Sequence, residues 1–256
     1  MGCMSAPVIM VHGAFCGGWA FDAFRQPFEA AGHRVLTPDL PGHGGSDEAV
    51  AGLSMSDYAR AIAAMIAQTR QPPFLIGHSL GGLVAQMAAQ EADLAGLILL
   101  APSAPWGIMG ASLEEAAAAM SLYALGPFWM QAVSPDRALA RAHLLDRLPP
   151  DQRREASARL VPESGRALFE SLNWWMDPMA TTQVSPERIR APVLGVAGAA
   201  DVLHPAATVR ATTERLGGRL EVAPGLSHWL IGEPGWSALA ELCLDWIAEQ
   251  SVEASV

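Results

Sequence analysis

Phe74-Leu75-Ile76-Gly77-His78-Ser79-Leu80-Gly81-Gly82-Leu83-Val84-Ala85-Gln86-Met87-Ala88-Ala89 is the stretch on which the fold of this chain turns. The short apolar run after Pro72-Pro73 reads as a buried strand. Beyond the serine, Leu80, Leu83, Val84, Met87 and Ala88 fall at helical spacing. The stretch is therefore strand, turn and helix with Ser79 at the apex, the setting that a G-x-S-x-G nucleophile elbow requires. So sharp a turn needs small neighbours where strand and helix cross, and Gly77 and Gly81 supply them. The hydroxyl then stands above the sheet edge, next to a helix N-terminus whose field favours negative charge.

Size and composition bound what surrounds this turn. A chain of 256 residues, 51% hydrophobic, suits one α/β domain with an insertion and is too apolar for disorder. No apolar run is long enough to span a bilayer. Met1-Gly2-Cys3-Met4-Ser5-Ala6 has neither the basic start nor the apolar core of a secretory signal, and Ala6 breaks the myristoylation pattern. A soluble, cytoplasmic protein, monomer or homodimer, is expected. The net charge of −10, without a basic cluster, argues against nucleic acid or anionic lipid as a partner. Cys3, Cys16 and Cys243 lack metal-type spacing; Cys16 is a candidate pocket wall and Cys243 a buried thiol. All 16 basic residues are Arg, so lysine Schiff bases, lysine-bound pyridoxal phosphate and Ser–Lys dyads are excluded. No cofactor and no metal is expected.

Working outward, Pro7–Val11 reads as a first strand and Arg34–Thr37 as a second. Between them a helix is expected from Trp19 to Ala31, with Phe21, Phe24, Phe28 and Ala31 on one face. A helix from about Ser54 to Thr69 turns Ala59, Ile62, Ala63 and Ile66 inward. Leu97–Ala101 is the fourth strand, after the one that enters the elbow. The alternation then stops, and residues 103–190 show no convincing strand. Ser112-Leu113-Glu114-Glu115 reads as a capping box, Ser134-Pro135 as the start of a helix reaching about Leu145, and further helices are expected over 151–160 and 163–176. The rhythm resumes with strands at Pro192–Ala197 and Arg219–Val222 and helices at about 206–216 and 234–249. The expectation is about six mostly parallel strands with helices on both faces: a core of residues 1–102 and 191–256, and a helical cap, 103–190, between the fourth and fifth strands.

Ligands of an open parallel sheet sit beyond the carboxyl ends of the strands. The loops there carry His12-Gly13-Ala14-Phe15, Ser79-Leu80, Gly198-Ala199-Ala200-Asp201 and Gly225-Leu226-Ser227-His228. Ser79, Asp201 and His228 thus stand at three strand ends, in the chain order of a triad built on a nucleophile elbow. With these motifs, and with Asp39-x-x-Gly42-x-Gly44-x-Ser46, the chain resembles the α/β-hydrolase fold enzymes over nearly its whole length. Its His12-Gly13-Ala14-Phe15-Cys16-Gly17-Gly18-Trp19 start is similar to that of the methylesterase and hydroxynitrile lyase group and its bacterial relatives. It departs from many members in starting almost at the His-Gly strand, without a preceding edge hairpin.

The chemistry follows from residue types. A serine hydroxyl needs a base to take its proton during attack. Of the histidines, His204 and His228 follow Asp201, and the resemblance places the base at His228. Asp201 would hold the imidazole in the right tautomer, with Asp39 the rival acid, read instead as organising its loop. The backbone N–H of Leu80 is one expected oxyanion donor; the resemblance supplies the second, the N–H of Ala14. His12, His43 and His78 read as structural, bridging backbone groups, with Phe15, Trp106, Trp129, Trp174 and Trp175 as candidates for the pocket wall. The expected protein is a cofactor-free serine hydrolase of the carboxylesterase type. It would cleave a small, fairly apolar ester or lactone with water through an acyl-enzyme. The alternatives are C–C, amide or other chemistry on the same triad, or a ligand receptor on the same fold. The lyase option is weakened, since those relatives use a site lysine.

Overall fold

The computed structural model describes residues 5–44 and 47–253; the first four residues with Cys3, and Ser46 of the loop motif, lie outside them. Its main sheet is built from β1 (Val8–Val11), β2 (Val35–Leu36), β3 (Phe74–His78), β4 (Gly96–Leu100), β7 (Val193–Gly198) and β8 (Arg219–Ala223). The spatial order is β2-β1-β3-β4-β7-β8. Every pairing in it is parallel. A parallel sheet is covered on both faces, which is why β1, β3, β4 and β7 are buried at every position. Alternate residues feed two cores. Met10, Ile76, Ile98 and Val196 join Phe21, Phe24 and Phe28 on one side. Ile9, Leu75 and Leu97 join Met55, Ile62 and Leu83 on the other.

The helices of the core are α1 (Gln26–Ala30), α2 (Asp47–Val50), α3 (Met55–Ile66) and α4 (Leu80–Ala89), followed after β4 by those of residues 103–190. Ser54 and Asp57 close a capping box on α3, and the carboxylate of Glu170 adds a bond from Met55 N–H at 2.8 Å. The helix expected over 19–31 is broken. A 3₁₀ turn covers Gly18–Phe21, and the α-helix starts only at Gln26. Pro27 has no N–H to give to Ala23, whose carbonyl is taken by Gln26 N in a tighter turn. Phe21, Phe24 and Phe28 are nevertheless fully buried, while Ala31 is exposed.

Residues 103–190 contain α5 (Leu113–Leu122), α6 (Arg137–Leu139), α7 (Pro150–Arg159) and α8 (Gly165–Leu172). Three expectations change here. Ser112 does cap α5, accepting Glu115 N–H at 2.9 Å, but the Glu115 carboxylate turns away to His204 instead of closing a box. Asp136, not Ser134, caps α6, because its carboxylate reaches both Ala138 N–H and Leu139 N–H; the chain then runs on as a π turn over Ala140–Leu144. Two short strands, β5 (Ala132–Val133) and β6 (Glu163–Ser164), pair antiparallel, too brief to leave a period in the sequence. After β7 come α9 (Ala206–Arg215) and, after β8, α10 (Trp236–Glu253). No helix among the described residues is long and apolar enough to cross a membrane.

Candidate active site

The turn at Ser79 is as tight as its glycines imply. Ser79 sits at φ 54° and ψ −123°, outside the regions that L-residues favour. Three backbone bonds hold it there. Its N–H donates to Leu100 O at 3.0 Å, and its carbonyl accepts from Gly82 N–H at 2.8 Å and Ser103 N–H at 3.0 Å. A methyl group at Gly81 would collide with the carbonyls of Val11 and His12, and one at Gly77 with the backbone of α4. The side chain of Ser79 therefore has one direction left, off the carboxyl end of β3.

There it meets the loops after β7 and β8. His228 Nε2 lies 3.0 Å from Ser79 Oγ, and His228 Nδ1 lies 2.9 Å from Asp201 Oδ2. The other Asp201 oxygen accepts the N–H groups of Leu203 and His204 at 2.8 and 2.9 Å, which fixes the carboxylate plane. Burial works against the Asp201 charge, but the proximity and hydrogen bond of His228 outweigh it and hold its pKa below the ordinary carboxylate range. With Nδ1–H given to Asp201, Nε2 is the nitrogen that can accept the serine proton. Asp39 is elsewhere, accepting Gly18 N–H at 2.8 Å.

Three further imidazoles pack around this chain. His78 donates Nε2–H to His228 O at 2.8 Å, and burial drives its pKa down to about 3, so it stays neutral. His204 stacks edge-on against the His228 ring at 4.8 Å. It gives Nδ1–H to Ala101 O at 2.7 Å, and its Nε2 is 3.4 Å from Glu115 Oε1. Burial opposes its charge, but Glu115 and Asp201 prevail and raise the pKa to about 9. His12 bridges Gly13 O and Leu40 N–H, with a pKa lowered to about 4 by burial and by the neighbouring His43.

His43 does reach the backbone, its Nδ1 donating to Pro41 O at 3.3 Å, but its other nitrogen meets an acid. Its Nε2 is 3.0 Å from Glu163 Oε2, and both side chains are wholly inaccessible. Burial opposes both charges, yet the bond between them raises the His43 pKa and lowers that of Glu163. Glu163 also accepts Tyr58 O–H at 2.6 Å, Ser164 N–H at 2.8 Å and Phe15 N–H at 3.3 Å. Nothing in the sequence singles out Glu163, since three of its four partners, Phe15, His43 and Tyr58, lie far off in the chain. Cys16 is 1% exposed and packed in the core rather than on a pocket wall; burial pushes its thiol pKa up, and that of Cys243 to about 12.

Ala14 follows Gly13 in the loop after β1. Gly13 lies against the serine so closely that a Cβ there would sit 3.0 Å from Ser79 Cβ. Leu80 N–H is the first of α4, one of those that a helix leaves without an internal acceptor. A hollow of about 180 Å³ is lined by Ala104, Ile108, Glu115, Asn173, Trp174 and Trp175 among others, and Glu115 links it to His204, which packs on His228. Of the five aromatic candidates, Trp174 and Trp175 line it and Trp106 stacks on Trp174 at 5.5 Å. Phe15 and Trp129 instead pack with Phe128 and Phe169. A larger hollow of about 350 Å³ lies at the other end of the sheet, beside Leu94 and Pro192, away from this chemistry. Among the described residues no group of three or more His, Cys, Asp or Glu could hold a metal ion.

With this fold and this site, the chain belongs to the alpha/beta hydrolase family, whose model matches residues 8–241. Among its relatives is a pyrethroid hydrolase of Sphingobium wenxiniae, 38% identical over 96 residues that cover 36% of this chain and 34% of that one. A carbendazim hydrolyzing esterase of Nocardioides is 37% identical over 84 residues, 31% of this chain and 34% of that one. The chain thus spans about a third of the length of these curated relatives. Among solved structures, a methylesterase from Arabidopsis superposes with a TM-score of 0.74 at 19% identity, covering 95% of this chain and 99% of that one, a likeness of fold.

Proposed function

We propose that this protein is a serine hydrolase acting on a small, fairly apolar carboxylic ester or lactone. The single observation that carries the reading is the unbroken line from Ser79 Oγ through His228 to Asp201, with spacings of 3.0 and 2.9 Å, at the carboxyl edge of the sheet. Ser79 attacks the carbonyl carbon while His228 Nε2 takes its proton; Asp201 keeps the ring oriented and stabilises the imidazolium. The Ala14 and Leu80 N–H groups receive the oxyanion, each worth about 10²–10³ in rate. His228 returns the proton to the departing alcohol. Water, activated by the same imidazole, then releases the acid and restores the serine.

Residues 103–190 serve in this reading as a cap on a core of 1–102 and 191–256. The hollow beside Glu115 and the tryptophans 174 and 175 receives the apolar part of the substrate. Two relatives, a carbendazim hydrolyzing esterase and a methylesterase, are named as esterases, which supports an ester over an amide. The test is turnover of p-nitrophenyl butyrate beside an anilide and a 1,5-diketone of matched size. The ester should be preferred. A preference for the diketone would move the reading to C–C bond hydrolysis on the same side chains.

A further inference from the structure

We propose that Glu163 is a positioning residue: its buried carboxylate grips the backbone N–H of Phe15 and thereby sets the aim of the neighbouring Ala14 N–H over Ser79. The inference rests on the hydrolase reading above, because it assigns Ala14 N–H to the oxyanion.

The first observation is strain. Phe15 has φ 62°, the left-handed region that a bulky side chain rarely occupies. A residue in that state needs its surroundings to hold it. Both polar groups of the Phe15 backbone are tied to one short segment: its N–H to Glu163 Oε2 at 3.3 Å, and its carbonyl to Val161 N–H at 2.9 Å. Without those two ties the Ala14–Phe15 peptide could rotate back to an ordinary conformation. Ala14 joins that peptide to Gly13, which lies against Ser79, so a shift of Phe15 reaches the Ala14 N–H through a single residue.

The second observation is how the carboxylate itself is fixed. It accepts from His43, Tyr58, Ser164 and Phe15, donors that come from four separate stretches of chain. His12 packs edge-on to the His43 ring at 4.8 Å and Tyr58 at 5.7 Å, and Pro41 O accepts from its Nδ1 at 3.3 Å, contacts that limit its movement. An unpaired acid so near a developing oxyanion would repel it, and the His43 partner removes that penalty. Buried ion pairs contribute little net stability compared with apolar side chains of the same volume. The arrangement is better matched to holding a direction than to holding the fold.

The experiment compares wild type with Glu163→Gln and Tyr58→Phe. Competent sites are counted by end-point labelling with a fluorophosphonate. Turnover of p-nitrophenyl butyrate is then expressed per labelled site, and inhibition by butylboronic acid, which forms a tetrahedral anion on serine, is measured alongside. Glu163→Gln should lower kcat per labelled site about tenfold to a hundredfold, with KM within about twofold, and weaken boronic acid binding by the same factor. Tyr58→Phe should do the same to a smaller extent, about threefold to tenfold. A purely structural role would reduce the number of labelled sites or the melting temperature and leave kcat per site unchanged, and that result would overturn the proposal. Should Glu163→Gln not fold, Tyr58→Phe decides alone by the same criterion. Failure of the wild-type protein to label at Ser79 would instead sink the hydrolase reading, a distinct outcome.

Discussion

Glu163 and Glu115 both reach from residues 103–190 to an imidazole of the sheet-end loops, and they do so under different conditions. The Glu163–His43 pair is 3.0 Å apart with no exposure on either side chain. The Glu115–His204 pair is 3.4 Å apart, and the Glu115 side chain is 19% exposed. Glu163 has four hydrogen-bond donors around it, so every lone pair is directed. Glu115 makes one ion pair beside an open hollow. Burial turns the same two residue types into a fixed strut under the Phe15 backbone and a titratable tie beside Asp201. Water can take over the partner of an exposed ion, whereas it has no route to a buried one.

Removing one member of each pair is the sharpest way to test that contrast. Glu163→Ala leaves the His43 ring buried and unpaired and should lower the unfolding free energy by about 3–5 kcal/mol in urea titrations. A loss below about 1 kcal/mol would erase the distinction between strut and tie. Glu115→Gln should cost on the order of 1–2 kcal/mol at pH 7, and the cost should depend on pH. His204 has a folded pKa of about 9, above the ordinary 6.5. Its contribution is therefore full below pH 6.5 and disappears as pH rises through about 9. Urea curves of wild type and Glu115→Gln should converge by pH 10; a gap that persists there would show that the tie does not titrate. The smallest effect belongs to an exposed pair, Arg159 with Asp22 at 3.3 Å, where both side chains are about half in water. Arg159→Gln should shift stability by less than about 0.5 kcal/mol.

The strut and the tie also mark where sequence reading stopped. The elbow was legible because its glycines answer a local steric demand and its strand and helix carry different periods. Ser79, Asp201 and His228 could be singled out because each ends a strand. The structure brings Ser79 and His228 together across 149 positions. Glu163 obeys no local rule: its partners are Tyr58, 105 residues away, His43, 120 away, and Phe15, 148 away. Glu115 carried a misleading local signal, since the capping-box spacing was right but a buried imidazole competed for the carboxylate and won. Trp129 and Trp174 have equal standing in the sequence. Only packing sends the first into an aromatic cluster and the second to the wall of the hollow.

The most direct test of the central claim, that Ser79 is the nucleophile set up by His228 and Asp201, is mass spectrometry of the protein quenched during turnover of p-nitrophenyl butyrate. The account requires a butyryl group on the peptide that contains Ser79, formed in a burst with nitrophenolate release and absent in Ser79→Ala. Acylation of another residue, or undiminished turnover by Ser79→Ala, would contradict it.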